Sequence, residues 1–193
     1  MITQYLDRKL KEDKILHIGA GTSSKFEIIA ELAEELYEEG YHDIINTDIS
    51  EEVVSLMVAR YEDKYPGMKC KLARTIDLLS DVRDMKEVES ESIDLIIDKG
   101  TFDTILCSEY SRRNAAAMLG EIYRTLKTGG TYICITYGVP EKRVPYFEQK
   151  NFEWKIEFHK VTKMTIDKNE AIAKKGGESE ATSFHYIYAI KKL

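Results

Sequence analysis

The run Ile93-Asp94-Leu95-Ile96-Ile97-Asp98-Lys99-Gly100-Thr101-Phe102-Asp103 decides how the rest of the chain is read. Its first half is almost wholly aliphatic, which predicts a strand buried on both faces, as found inside a parallel sheet. Charge and glycine then follow at once. This predicts a loop at the carboxyl edge of that sheet, where α/β proteins open a ligand crevice.

Working outward, Ile15 to Ile18 and Ile44 to Thr47 read as two short strands flanking an amphipathic helix. That helix places Phe26, Ile29, Ala30, Ala33, Leu36 and Tyr37 on one face, Glu31, Glu34, Glu35, Glu38 and Glu39 on the other, and ends at Gly40. Ser50 offers a cap to a second helix, with Val53, Val54, Met57, Val58 and Tyr61 facing inward. A strand around Met68 to Arg74 follows. Beyond the central strand come a helix from Asn114 to Leu126, the break Lys127-Thr128-Gly129-Gly130, and a strand from Thr131 to Tyr137. Strands alternating with helices of this length predict a doubly wound, mostly parallel sheet. Trp154 to Val161 and Phe184 to Ile190 break the rhythm and predict an antiparallel pair at one sheet edge, joined by a charged loop containing Lys174-Lys175-Gly176-Gly177.

The chain has 193 residues, 43% of them hydrophobic, with no shift of composition that would mark a boundary, so residues 1–193 read as one domain. A net charge of −6 argues against a nucleic-acid surface and suits a small molecule or a basic protein. Cys70, Cys107 and Cys134 follow no C-x-x-C pattern and read as reduced, mostly buried thiols. His17, His42, His159 and His185 lack metal-ligand spacing and read as structural. No metal is expected, no signal or membrane span is evident, and the cytoplasm is the expected compartment.

Three further signals accompany the central run. Gly19-Ala20-Gly21 at a strand-to-helix junction lets backbone pass beneath a ligand, though it equally suits a tight turn. Asp48, closing the second strand, can accept the two hydroxyl protons of a ribose or cap the helix after it. Asp81 and Val82 can offer a carboxylate and an N–H to an adenine edge, or Asp81 can simply be solvated. Together they outline a site for a nucleotide-like cofactor. On the same rim Asp98, Asp103, Tyr137 and Arg143 are the candidates for the substrate side.

In this order the stretches Ile15 to Ser23, Asn46 to Ser50, Asp81 to Met85, Ile93 to Asp103, Leu126 to Gly130 and Pro140 to Arg143 resemble the class I, seven-β-strand S-adenosylmethionine-dependent methyltransferases. Among them the chain looks most similar to the elongation factor 1-alpha lysine methyltransferase group related to the endothelin-converting-enzyme-2-associated methyltransferase. The resemblance implies a Rossmann-like sheet of seven strands with an antiparallel last strand, and S-adenosyl-L-methionine as cofactor. By the same resemblance Gly19 and Gly21 lie under its methionine part, Asp48 and Ile49 hold the ribose, Asp81 and Val82 the adenine, and Lys99 borders the sulfonium. Relatives begin with a longer segment bearing Trp and Tyr that closes over the cofactor, whereas only Tyr5 precedes Lys14 here. The expected activity is methylation of lysine on a protein such as a translation elongation factor. An acidic rim of Asp98 and Asp103 would attract the lysine and Tyr137 would orient it. Methylation of a small molecule and a non-catalytic cofactor-binding adaptor are the alternatives.

Overall fold

In the computed structural model, residues 12–19, 34–64, 78–162 and 184–193 are described. The strands are β1 (Lys14–Ile18), β2 (Asp43–Asp48), β3 (Leu78–Leu79), β4 (Ile93–Lys99), β5 (Leu126–Thr136), β6 (Trp154–Thr162) and β7 (Phe184–Lys192). The helices are α1 (Glu51–Lys64), α2 (Thr101–Cys107), α3 (Ser111–Thr125) and α4 (Pro140–Phe147), preceded by a helical stretch over 34–38.

Among the described residues seven strands join one sheet in the order β3-β2-β1-β4-β5-β7-β6, β3 contributing two residues. Pairing is parallel from β3 to β5, and the β5–β7 and β7–β6 pairs are antiparallel. After β1 the chain builds outward through β2 and β3, then returns to lay β4 on the other side of β1. The carboxyl ends of β1 and β4 therefore flank the switch point where such sheets hold ligands.

Alternation along the central strands explains why they are aliphatic throughout. Leu16, Ile18 and Ile96 enter one core with Met118, Leu119 and Ile122 of α3, while Ile15, Leu95 and Ile97 enter a second with Leu36, Tyr41 and Ile133. The doubly wound sheet and its antiparallel C-terminal hairpin agree with the expectation. Ser50 caps α1, its Oγ accepting from Val53 N at 3.4 Å. Gly40, at φ 99°, ends the helical stretch before it.

Several details differ from the expectation. Thr101 to Cys107 is a helix where a loop was expected, and Pro140–Phe147 adds another that starts with proline at its first turn. Strand β5 begins at Leu126, which pairs with Ile93, and the register slips across Lys127 to Gly130 before Thr131 pairs with Leu95; Lys127 reaches back to Asp94 at 2.7 Å. Val58 of the expected inward face is 40% exposed, and Cys107 is an exposed thiol. Gly21, positions 26–33 of the expected first helix, the strand expected at 68–74 and the loop expected at 167–182 lie outside the described residues. Among the described residues no helix is long and apolar enough to cross a membrane.

Candidate active site

At the carboxyl edge of the parallel strands lies a cavity of about 490 Å³, within the range of small-ligand sites. Gly19 follows β1, Asp48 ends β2 and Ile49 follows it, Asp81 and Val82 follow β3, and Lys99 ends β4; all six line this cavity. Residues up to 80 positions apart in sequence converge there because every parallel strand delivers its last residue to the same edge.

The backbone at Gly19 is confined by its neighbours. Its φ is +67°, its N–H donates to Thr47 O at 2.8 Å, and a Cβ built there would stand 1.9 Å from Thr101 Oγ1. Glycine was expected here to let a ligand approach; within the chain it is Thr101 that requires it. That hydroxyl donates to Ile18 O at 3.1 Å, tying α2 to the end of β1. Asp48 is 7% exposed, and its Oδ1 accepts Ser50 N at 2.9 Å, so the carboxylate shapes the turn into α1 while facing the cavity. Asp81 is forked by Arg83, with Nη2 to Oδ2 at 2.6 Å, and this guanidinium holds the carboxyl below its ordinary value. His17 of β1 is pushed down to about 4 by burial, with Lys99 adding to the fall, while its contact with Asn46, Nδ1 to Oδ1 at 3.3 Å, opposes it; at neutral pH it is uncharged.

The acidic rim differs most from expectation. Asp98 is fully buried rather than exposed at the edge. Its carboxylate accepts from Thr101 N at 2.8 Å, Phe102 N at 3.1 Å and the Tyr132 hydroxyl at 2.8 Å, so it caps α2 from within, where Gly100 has turned left-handed at φ 86°. Burial pushes this carboxyl up to about 6. Asp103 does reach the rim, but its charge is engaged: Arg143 of α4 donates from Nη2 at 2.6 Å, Thr136 Oγ1 donates as well, and Tyr137 N donates at 3.1 Å. Tyr137 is 60% exposed and stacks on His185 with ring centroids 4.3 Å apart. Neither Asp103 nor Tyr137 lines the cavity, whereas Thr104, the residue after Asp103 on α2, does.

Five cavity residues escaped the sequence reading: Ser80, Arg83, Thr104, Ile105 and Ser108. Ser80 adjoins a residue that was singled out, and its Oγ is buried without a hydrogen-bond partner among the described residues. The positions of Thr104 and Ser108 depend on α2, which the reading missed. Among the described residues no cluster of His, Cys, Asp or Glu is arranged to hold a metal.

Residues 9–183 match the family described as "Methyltransferase domain". The "eEF1A lysine and N-terminal methyltransferase" of Bos taurus is 34% identical over 154 residues, 77% of this chain and 20% of that protein. The "EEF1A lysine methyltransferase 4" of Mus musculus is 29% identical over 153 residues, 75% of this chain and 54% of that protein. The chain thus spans about a fifth to a half of the length of these relatives. Among solved structures, a SAM-dependent methyltransferase from Methanosarcina mazei superposes with a TM-score of 0.63 at 17% identity, over 100% of this chain and 96% of that one. The N-methyltransferase NodS from Bradyrhizobium japonicum, solved with S-adenosyl-L-homocysteine, gives 0.61 at 12% identity, over 98% and 84%.

Proposed function

Because the chain belongs to the methyltransferase-domain family, we propose that it transfers a methyl group from S-adenosyl-L-methionine to a lysine side chain of a protein, with a translation elongation factor as acceptor. The observation that carries this reading is the convergence of Gly19, Asp48, Ile49, Asp81, Val82 and Lys99 on one cavity at the switch point. The similarity to eEF1A methyltransferases supports the acceptor class. The cytoplasm is the compartment this acceptor implies, and neither nucleic acid nor membrane is needed.

The residues present fit the cofactor. A ribose needs a carboxylate at the end of the second strand, which Asp48 supplies, and the orphaned Ser80 Oγ offers a polar contact in the same wall. Gly19 and Gly21 serve the methionine part, Ile49 covers the ribose, Val82 N–H and Asp81 meet the adenine, and Lys99 borders the reacting end. Bound there, the cofactor would supply an electrophilic methyl group: a neutral lysine amine would take it in line as the carbon–sulfur bond breaks, S-adenosyl-L-homocysteine leaving and the positive charge passing from sulfur to the methylated amine.

The protein's part is alignment and exclusion of water. Tyr137 presents an exposed aromatic edge to the acceptor, and Asp103 fixes that residue through its backbone N–H. Asp98 acts as a positioning residue, holding the Lys99–Thr101 turn through α2. The reading is tested by incubating the chain with S-adenosyl-L-methionine and a purified elongation factor, then mapping modified residues by mass spectrometry. Methylated lysine supports it; label found only in a metabolite fraction replaces it with small-molecule methylation.

A further inference from the structure

Between β3 and β4 the chain runs through turns with no helix or strand, and only its leading residues, Ser80 to Arg83, wall the cavity. Two anchors set where that leading end sits. On one side Ser80 N donates to Asp48 O at 2.9 Å. On the other, just past the turn closed by Asp84 N to Asp81 O at 2.8 Å, both peptide groups of Met85 are held by one ion pair on α3. Met85 N donates to Glu121 Oε2 at 2.7 Å, and Met85 O accepts from Arg124 Nη2 at 2.8 Å.

Arg124 leaves no donor idle. Its Nε and Nη2 reach Glu121 at 2.8 and 2.7 Å, and its Nη1 reaches Val88 O at 2.9 Å and Ser90 Oγ at 3.1 Å. With the bond to Met85 O, five N–H groups have five acceptors, a fit that the planar guanidinium makes and a single ammonium cannot reproduce. The side chains of Glu121 and Arg124 are 19% and 33% exposed, and neither lines the cavity.

We infer that Glu121 and Arg124 are positioning residues for cofactor binding, holding the adenine-side wall in place through the backbone of Met85. The inference rests on the cofactor reading above. The stretch between β3 and β4 has no helix or strand of its own, so the clamp, together with the Ser80 anchor and the buried side chains of Val82, Met85 and Val88, sets where Asp81 and Val82 stand.

The test titrates S-adenosyl-L-homocysteine into the wild type, Arg124→Lys and Glu121→Gln at a temperature where all three are folded, with melting curves and peptide-level hydrogen exchange over 80–92. Arg124→Lys is expected to weaken binding about tenfold, the size of losing a charge-assisted hydrogen bond, and to speed exchange in that loop. Glu121→Gln keeps an acceptor for Met85 N and should weaken binding less. Wild-type affinity in Arg124→Lys with only a lower melting temperature would overturn the inference, since the pair would then be merely structural. If the wild type itself does not bind, the cofactor reading has failed and the inference falls with it, an outcome distinct from the first.

Discussion

At Gly19 the demand for glycine comes from within the chain. Alanine there would meet Thr101 Oγ1 at 1.9 Å and hold a left-handed φ that L residues avoid. Gly19→Ala should lower stability by about 2 kcal/mol and abolish binding of S-adenosyl-L-homocysteine; adding Thr101→Ala should recover part of both, as thermal denaturation and calorimetry would read. Asp98 shows the opposite case, a charge kept inside at a cost. Its carboxyl holds its proton up to about pH 6, while the unfolded chain releases it near the ordinary 3.8, so between those values the folded state binds more protons. Stability from this group therefore falls as pH rises through that window. Urea denaturation should show the wild type losing about 1 kcal/mol more than Asp98→Asn between pH 5 and pH 7. Equal pH dependence in the two proteins would refute that account of Asp98.

Helix α2 is the element on which the site turns, and it was the hardest to read. One side of it lines the cavity through Thr101, Thr104, Ile105 and Ser108, and the other carries Asp103 to Arg143. Seven residues give too little periodicity to betray a helix, and its cap is a buried carboxylate three residues upstream rather than a Ser or Asn. The sites on strand ends were legible, because a buried parallel strand announces itself by composition and its last residue must face the crevice. The states of Asp98 and Asp103 were not: their partners Tyr132 and Arg143 lie 34 and 40 residues away, a distance no local pattern spans. The Asp103–Arg143 pair joins α2, the end of β5 and α4, with side chains 19% and 14% exposed. Arg143→Gln should cost about 2 kcal/mol of stability and raise KM for the acceptor, leaving the Kd for S-adenosyl-L-homocysteine unchanged; a changed cofactor Kd would show that the pair serves the cavity instead.

For the whole molecule, sheet order and charge act together. The order β3-β2-β1-β4 creates the switch point, and the antiparallel β7 and β6 close the other side next to Tyr137 and His185. A net charge of −6 favours encounter with a basic protein surface. Raising ionic strength from about 0.05 to about 0.5 M should therefore lower kcat/KM for a protein acceptor several-fold, by screening. A salt-independent kcat/KM would argue for a small, neutral acceptor. By our proposal the residues brought to the carboxyl edge of the sheet bind S-adenosyl-L-methionine. The most direct test is calorimetric titration of the chain with S-adenosyl-L-homocysteine, with NAD as the comparison ligand and Asp48→Ala as the site variant. Saturable binding of the first ligand alone, lost in the variant, is expected; binding of NAD instead, or S-adenosyl-L-homocysteine binding that survives the loss of Asp48 undiminished, would contradict a cofactor site at this edge.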